Sequence, residues 1–594
     1  MMDIRTYLEK QELVLDGGMG TYYSVRNRSS HVDCEAANLS NPEEIADIHR
    51  AYLAAGSFAL RTNTYCANRL CFSEAECREI IRAGYEIAVK AAGDAFVFAD
   101  IGPIDPPDGR SVLEEYRFVV DQFLMLGARH FLFETLGSAI GVHEIAAYIR
   151  ERCPDAFLLV CYAPQPDGFT PKGQLVSDLL DETTADRNID AVGLNCICGG
   201  RQMLDLVRKL SPLEGLFAVM PCAGYPSVRG SRIFYDGDPS YFASQLSEIR
   251  TLGVRILGGC CGTTPEHISA MAEAIHGRIP VRVSYPASAS GNPVIERSDP
   301  FWAQLCDPKR KPIAVELDPP VNADVSRFMS GAWELRGAGV DMITIADCPV
   351  ARARMDSSLM ACKLHRELGI PALPHMTCRD RNLNATQALL MGLCAEGISN
   401  VLLVTGDPLP AASRDEVKTV YNFNSRRLIH YVDSLNRAVL PSPFHIFAAL
   451  NVNARNFHVQ LEMAAAKEEN GAVGFLTQPV LTDSALENLQ LARDTLHGRL
   501  LGGIMPIVSK KNALFMNSEI AGITVDEKII AAYEGADRVR GEELAVEISV
   551  DIARKIAPFI DGFYLMTPFG RTGLVTRIME GIRAEGLCGE AGER

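Results

Sequence analysis

Residues 254–265, VRILGGCCGTTP, contain a short apolar run, a pair of cysteines framed by glycines and the first residues of a helix-like segment. The apolar run, Val254–Leu257, is typical of a buried strand, and the segment Pro265–Ile275 has the pattern of a helix. Two thiols at the end of a strand, with only glycines beside them, are accessible to a ligand. A strand, a polar loop and a helix in this order form the repeating unit of parallel α/β folds.

The same unit occurs eight times in the first half of the chain. Short apolar runs that end at Gly, Asp, Asn or Pro alternate with helix-patterned segments such as Glu74–Ala92. Because these runs are apolar throughout, they predict a parallel sheet buried on both faces and closed into a (β/α)8, or TIM, barrel. The predicted strands are Leu13–Leu15, Phe58–Leu60, Phe96–Ala99, His130–Phe133, Phe157–Cys161, Ala191–Leu194, Leu216–Met220 and Val254–Leu257.

A second series of eight strands follows a break in the pattern. Residues 284–300 are small, polar and punctuated by proline, so we predict a linker at 284–304 between domains at 1–283 and 305–594. The two halves share a period but not a sequence, so the predicted α/β fold is two TIM barrels in tandem. The second series is Ile313–Leu317, Met342–Ile345, Ala372–His375, Val401–Val404, His445–Ala449, Gly474–Leu476, Leu500–Ile504 and Gly562–Leu565.

The composition is that of a globular protein, with 47% apolar and 22% charged residues among 594. A net charge of −16 and the lack of a basic tract argue against nucleic acid or an anionic membrane as a partner. The sequence has no apolar window long enough to span a membrane and no signal-peptide core. Seventeen scattered cysteines without an export signal indicate reduced thiols, so we expect a cytoplasmic protein.

Three cysteines of the first half are candidate metal ligands. Cys260 and Cys261 follow the eighth predicted strand, and Cys196 follows the sixth. Three thiolates suit Zn²⁺ and leave its fourth position open, which is the arrangement of a catalytic site. Two alternatives stay open on the residues alone: buried cysteines can be small hydrophobic residues, and Cys198 is a rival ligand on spacing.

Polar side chains also gather where the other strands end, which is the active-site face of a TIM barrel. The carboxylates of Asp16 and Glu134, together with Asn63, would bind the ammonium group of an amino-acid thiol held at the metal. Asp16 could instead cap a helix.

Five motifs of the first half, in this order, resemble those of the homocysteine S-methyltransferase family. This resemblance covers about residues 1–280 and implies that Cys196, Cys260 and Cys261 bind zinc, with homocysteine thiolate as the fourth ligand. It favours Cys196 over Cys198. One residue departs from the pattern: Cys222 stands where relatives usually have Asn, and we expect a neutral packing change rather than an alternative ligand. The motifs are Leu15–Thr21, Thr62–Tyr65, Phe133–Thr135, Gly193–Cys196 and Gly259–Gly262.

The second half offers weaker signals when its residues are taken singly. Glu316 ends an apolar strand, so it could be a general acid whose pKa is raised by burial, although a solvent-facing loop acid is the simpler interpretation. Asp407 and Gln478 also follow strands. No Gly-x-Gly-x-x-Gly motif follows a strand, so a Rossmann nucleotide site is not indicated.

Taken in order, motifs from Glu316 to Pro506 resemble methylenetetrahydrofolate reductase over about residues 305–590. The resemblance implies a barrel that binds FAD without a covalent bond and transfers hydride from NADH or NADPH, through the flavin, to 5,10-methylenetetrahydrofolate. The motifs include Glu316 with Pro319-Pro320, Thr344, His375–Cys378, Gly406–Pro408, Lys467–Ala472, Thr477-Gln478 and Gly503–Pro506.

The same resemblance assigns roles to individual residues. Glu316 would be the general acid that opens the imidazolidine ring, and Asp407 would tune the flavin and contact the pterin. Gln478 would hydrogen-bond the folate. The expected FAD contacts are Thr344, His375 and Lys467, besides Asp407. The sequence departs from the family at Thr405, Gln460 and Leu450, which puts the FAD contacts in question.

Together the resemblances imply a bifunctional enzyme of methionine biosynthesis, in which one barrel makes 5-methyltetrahydrofolate and the other methylates homocysteine. The alternative keeps the zinc chemistry but makes the second barrel a non-reducing module that binds folate or a partner. The sequence has no cobalamin-binding segment, so the methyl donor is open: S-methylmethionine, S-adenosylmethionine or a cobalamin protein supplied in trans. The oligomeric state is equally open, a homo-oligomer included.

Overall fold

The computed structural model describes residues 3–27, 34–106, 110–211, 213–229, 232–275, 298–408, 419–519 and 522–589. The chain divides into two compact units, Met1–Ser290 and Gly291–Arg594. Each unit is an α/β barrel of eight parallel strands, as the alternating pattern predicts.

The first unit closes its sheet in the order β1-β10-β7-β6-β5-β4-β3-β2, and a parallel bridge between Leu15 and Ala59 joins β1 to β2. All eight predicted strands are present, although β1 and β10 are only two residues long. The antiparallel pair β8 and β9 is an insertion after β7. The strands are β1 Leu13–Val14, β2 Ala59–Arg61, β3 Phe96–Ile101, β4 His130–Leu136, β5 Phe157–Tyr162, β6 Ala191–Gly199, β7 Leu216–Cys222, β8 Pro226–Arg229, β9 Arg232–Tyr235 and β10 Ile256–Leu257.

Helices surround this barrel, and their ends follow ordinary capping rules. Helix α5, for example, begins after a capping box in which Ser73 and Glu76 bind each other's backbone amides. The helices are α1 Ile4–Lys10, α2 Met19–Asn27, α3 Ala37–Ser40, α4 Pro42–Ala54, α5 Glu74–Ala92, α6 Val112–Met125, α7 Val142–Arg152, α8 Val176–Thr184, α9 Gly200–Leu210, α10 Pro239–Thr251 and α11 Pro265–Ile275.

Two apolar cores stabilise the first unit: one lies between strands and helices, and the other fills the barrel. Helix α1 covers the end of the barrel opposite the active-site face, where Tyr7 stacks on Phe58 with 4.9 Å between ring centroids. Phe96, Phe98 and Phe157 fill the interior and are almost wholly buried. Each such side chain contributes about 1.5–3 kcal/mol, so the interior is a packed core and leaves only the mouth of the barrel for chemistry.

The second unit is a closed barrel in which β11 to β18 follow one another and β18 pairs with β11. All eight predicted strands are again present. They are β11 Ile313–Leu317, β12 Met342–Ile345, β13 Ala372–Thr377, β14 Asn400–Val404, β15 His445–Leu450, β16 Gly474–Pro479, β17 Arg499–Ile504 and β18 Gly562–Met566. The helices are α12 Pro300–Cys306, α13 Ser326–Gly337, α14 Ser357–Leu368, α15 Leu383–Ala395, α16 Ser425–Ala438, α17 Phe457–Glu469, α18 Asp483–Thr495, α19 Lys510–Glu519, α20 Glu527–Ala532, α21 Arg538–Ile556 and α22 Thr572–Ala584.

The predicted linker at 284–304 lies outside the described residues as far as residue 297, and its last part is not a linker. Helix α12 starts at Pro300, with Asp299 as its N-cap. Phe301 and Leu305 are buried in the core inside the second barrel. The helix was missed because its seven residues are too short to show a periodic pattern. Across the described ranges, no helix combines the length and hydropathy that a membrane span requires.

Candidate active sites

Four cysteine thiols meet at the C-terminal end of the first barrel. Cys196 lies on β6, Cys222 ends β7, and Cys260 and Cys261 follow β10. Their sulfur atoms all lie within 4.8 Å of one another, and Cys196 Sγ is 3.8 Å from the sulfurs of both Cys222 and Cys261. Cys222, expected to be a neutral packing change, thus lies among the three predicted ligands.

The thiol cluster, defined as Cys196, Cys222, Cys260 and Cys261, has the dimensions of a zinc site. A tetrahedron with Zn–S bonds of about 2.3 Å has edges of about 3.8 Å, which is the sulfur–sulfur distance observed for two pairs. The four cysteines are free thiols. Cys198 lies outside the cluster because its thiol donates to the Pro164 carbonyl at 3.2 Å.

Unusual backbone geometry aims Cys196 into the cluster. Cys196 and Ile197 both adopt left-handed conformations, with φ of 59° and 55°, where the register of β6 against β7 shifts. Such conformations cost about 1–3 kcal/mol for residues with a Cβ, so the surrounding contacts must hold them in place. Asn195 supplies some of these contacts, since its side chain bonds the Thr135 amide at 2.7 Å and the Glu134 carboxylate at 2.9 Å.

A buried arginine that is not one of the predicted site residues organises the carboxylates beside the thiol cluster. Arg61 ends β2, and only 5% of its surface is exposed. Its Nε donates to Asp16 Oδ1 at 2.8 Å and its Nη1 to Glu134 Oε2 at 2.9 Å. Nη2 donates to the carbonyls of Gly17 and Gly259, each at 2.7 Å. The signal available in the sequence was a charged residue directly after an apolar run.

Two of the residues predicted to bind the substrate, Asp16 and Asn63, make hydrogen bonds within the protein. Both carboxylate oxygens of Asp16 accept hydrogen bonds from Arg61, one from the guanidinium and one from the backbone amide. Asp16 therefore holds Arg61, and its predicted contact with the substrate ammonium group stays a prediction. Asn63 also has hydrogen-bond partners within the protein: its side-chain amide donates to the Cys34 carbonyl at 2.6 Å and to Asn38 Oδ1 at 2.9 Å.

Two further buried carboxylates, those of Asp100 and Glu134, are candidates for binding a cationic ligand. Asp100, on β3, is buried, and its Oδ1 has no hydrogen-bond partner among the described residues. Burial raises the pKa of Asp100, and the nearby charge of Glu134 raises it further. Burial also raises the pKa of Glu134, to about 7, although the positive charge of Arg61 opposes this shift. An ammonium group placed here would satisfy the unpartnered oxygen and favour both carboxylates in their charged forms.

The second barrel places Glu316 at its mouth with two polar neighbours. The Tyr564 hydroxyl, on β18, donates to Glu316 Oε2, and His375 Nε2 lies 3.8 Å from the same oxygen. Burial raises the pKa of Glu316 to about 7, the Tyr564 hydrogen bond opposes the rise, and the charge of Asp318 adds to it. Burial lowers the pKa of His375 to about 3, so this imidazole is neutral and does not form an ion pair with Glu316.

The other residues predicted for the second site lie on neighbouring strand ends. Thr344 is the register partner of Glu316 on β12 and is fully buried. Lys467 Nζ donates to the Ala449 carbonyl at the end of β15, at 3.0 Å, and burial lowers its pKa. Asp407 is exposed, and its Oδ2 accepts from the Val350 amide at 2.8 Å. Gln478 is half-buried at the bulge of β16.

Polar groups of His375 and Lys467 at this face are available to hydrogen-bond a cofactor. The buried Nε2 of His375 makes no hydrogen bond within the described part of the chain, and Lys467 keeps two N–H groups beyond its bond to Ala449. Leu450, one of the departures from the reductase pattern, is buried in the core, and Thr405 accepts a hydrogen bond from the Ser425 amide. The residues thus fit a bound polar cofactor at this face, with fewer charged contacts than the family pattern has.

Comparison with known proteins assigns each half to a family. Residues 13–275 match the family model described as homocysteine S-methyltransferase, and residues 302–582 match that of methylenetetrahydrofolate reductase. Among solved structures, the chain is similar to the homocysteine methyltransferase MmuM from Escherichia coli. The metallated and oxidized forms each show 24% identity and a TM-score of 0.39, over 46% of this chain and 99% of that chain. Both families belong to methionine and folate metabolism, and the chain is a fusion of a homocysteine S-methyltransferase domain with a methylenetetrahydrofolate reductase domain.

Proposed function

We propose that the first barrel transfers a methyl group to homocysteine held by a zinc-thiolate site and that the second reduces 5,10-methylenetetrahydrofolate to 5-methyltetrahydrofolate. The observation that carries the first activity is the thiol cluster beside two buried carboxylates. The observation that carries the second is the pairing of Glu316 with Tyr564 at the mouth of the other barrel.

In the first barrel, Cys196, Cys260 and Cys261 would hold zinc. The ion would lower the pKa of the homocysteine thiol and keep it as a nucleophilic thiolate. Glu134 and Asp100 would bind the ammonium group, which fixes the amino acid so that its sulfur points toward the cluster. Arg61 keeps Glu134 in place and limits the negative charge of this pocket. The methyl donor is S-methylmethionine, S-adenosylmethionine or a cobalamin protein in trans.

In the second barrel, Glu316 would protonate the imidazolidine ring and open it to the electrophilic iminium ion. Because Tyr564 donates to Oε2, the proton of the acid form resides on Oε1, which is then the atom that delivers it. FAD bound by Thr344, His375 and Lys467 would carry hydride from NADH or NADPH to the folate. Asp407 would contact both flavin and pterin, and Gln478 would bind the folate.

Two measurements on the full-length protein test these activities. Cys260→Ser should lose homocysteine methylation and one sulfur neighbour of the zinc, whereas Cys198→Ser, outside the cluster, should keep both. An unchanged sulfur shell around the zinc in Cys260→Ser contradicts the ligand assignment. Methionine formation with each candidate donor in turn, with and without a cobalamin protein, identifies the donor.

The reductase is tested by the visible spectrum of the purified protein. We expect a flavin band that NADH or NADPH bleaches and methylenetetrahydrofolate restores. A protein that binds no flavin after FAD is added would instead favour the non-reducing folate- or partner-binding module. The departures from the reductase pattern at Thr405, Gln460 and Leu450 are the sequence features that favour this alternative.

A further inference from the structure

Cys222 is positioned as firmly as the three cysteines expected to bind zinc. The amide of Cys260 donates to the Pro221 carbonyl at 2.8 Å, and the amide of Ala223 donates to the Cys261 carbonyl at 2.9 Å. These two backbone hydrogen bonds lie on either side of Cys222 and join the end of β7 to the Cys260-Cys261 loop. The position of the Cys222 sulfur therefore does not depend on a free loop.

We propose that Cys222 is a fourth zinc ligand, so that the resting site has four thiolates and the substrate thiol must replace one of them. This inference rests on the zinc site of the proposed function and adds to it a ligand that closes the open position. A site with four cysteine ligands is the closed arrangement typical of structural zinc. Here the closed form would be a resting state that opens for the substrate.

The geometry identifies Cys222 as the ligand that leaves. A cavity of about 340 Å³ adjoins the cluster, and Cys222 is the one member of the cluster on its described wall. The wall also contains Gly199, Gly224 and Gly237, which have no side chain to occupy the cavity. Rotation about the Cα–Cβ bond of Cys222 would carry its sulfur out of the cluster toward this cavity.

The exchange balances in atoms and charge. The substrate S–H bond breaks, its sulfur takes the position that Cys222 vacates, and the proton passes to Cys222 Sγ. Four thiolates would hold the zinc before and after the step, so the charge of the site would not change. In a site with three cysteines and a water, by contrast, the arriving thiolate would add a negative charge.

Zinc-edge X-ray absorption on the full-length protein tests the inference by counting sulfur neighbours. The resting wild-type protein should have four sulfurs at about 2.3 Å. Selenohomocysteine should change this shell to three sulfurs and one selenium. Three sulfurs with one nitrogen or oxygen in the resting protein, or four sulfurs retained together with selenium, would overturn the inference.

Matched variants separate this inference from the proposed function. Cys222→Asn should show three sulfurs and one lighter neighbour, whereas Cys198→Ala should keep four. Zinc bound by three sulfurs in the wild type refutes the role of Cys222 alone and leaves the methyltransferase proposal standing. A wild-type protein that binds no zinc refutes both. The wild-type measurement decides even where a variant fails to fold.

Discussion

Replacement of Arg61 by leucine should destabilise the first barrel strongly. The substitution removes the guanidinium between Asp16 and Glu134, together with its two hydrogen bonds to the Gly17 and Gly259 carbonyls. The two carboxylates it pairs are at most 5% exposed, so water cannot replace it. Breaking a buried ion pair from one side costs about 3–5 kcal/mol.

The expected shift in melting temperature follows from this cost. For a domain of this size, 1 kcal/mol corresponds to about 2–4 °C, so the first barrel should melt roughly 6–20 °C lower. Arg82→Leu is the matched control, because Arg82 pairs with Glu79 and Glu86 on the surface of α5. Exposed pairs of this kind contribute about 0–1 kcal/mol.

The two tryptophans of the chain make the assay specific. Both Trp302 and Trp333 belong to the second unit, so tryptophan fluorescence follows the second barrel, while far-ultraviolet circular dichroism follows both. We expect Arg61→Leu to lower the melting temperature of one transition seen by circular dichroism. The melting temperature measured by tryptophan fluorescence should not change. A shift no larger than that of Arg82→Leu would refute the assignment of Arg61 as a buried ionic anchor.

Three further predictions concern the sites. The reductase reaction should decline as the pH rises through about 7, because the pKa of Glu316 is raised to about 7 and the acid form is the proton donor. In Tyr564→Phe the loss of a hydrogen bond that lowers this pKa should move the decline to higher pH, and a profile that stays in place or moves down contradicts the role of Tyr564. Asp100→Asn should raise the KM for homocysteine about tenfold or more at nearly constant kcat, since a hydrogen bond to a charged group contributes about 1.5–3 kcal/mol; an unchanged KM excludes Asp100 from the ammonium site. Lys467→Met should weaken FAD binding, measured by flavin fluorescence, while Lys363→Met, which removes a surface pair with Glu367, should not.

The fold could be predicted from the sequence because strand identity in a TIM barrel depends on local hydrophobicity. Sixteen apolar runs coincide with sixteen strands, and the polar residues after them consequently share one face. Helix α12 was missed because a helix of seven residues carries no periodicity. Sequence position alone does not say which neighbour a side chain contacts.

The same limit applies at the first site. Asp16 and Asn63 were expected to face the substrate because both follow strands, but Arg61 and Cys34 engage their polar atoms. Cys222 was singled out as a departure from the family pattern, where relatives usually have Asn, and was expected to be a neutral packing change. It joins the cluster because β7 pairs with β6 on one side and β10 on the other, so that the ends of these three strands meet at the mouth of the barrel.

The two-residue strands β1 and β10 give the first barrel a seam formed by opposite ends of its sequence, with Leu13 beside Ile256. During synthesis at about 5–20 residues per second, β1 therefore remains without its partner for about ten to fifty seconds. Cys260 and Cys261 leave the ribosome directly after β10, so the thiol cluster is assembled in the same event that closes the barrel. If the thiol cluster binds zinc, uptake of zinc by the nascent chain would therefore report closure of the barrel. A chelator present during translation would leave the pairing of β1 with β10 without a bound ion beside it.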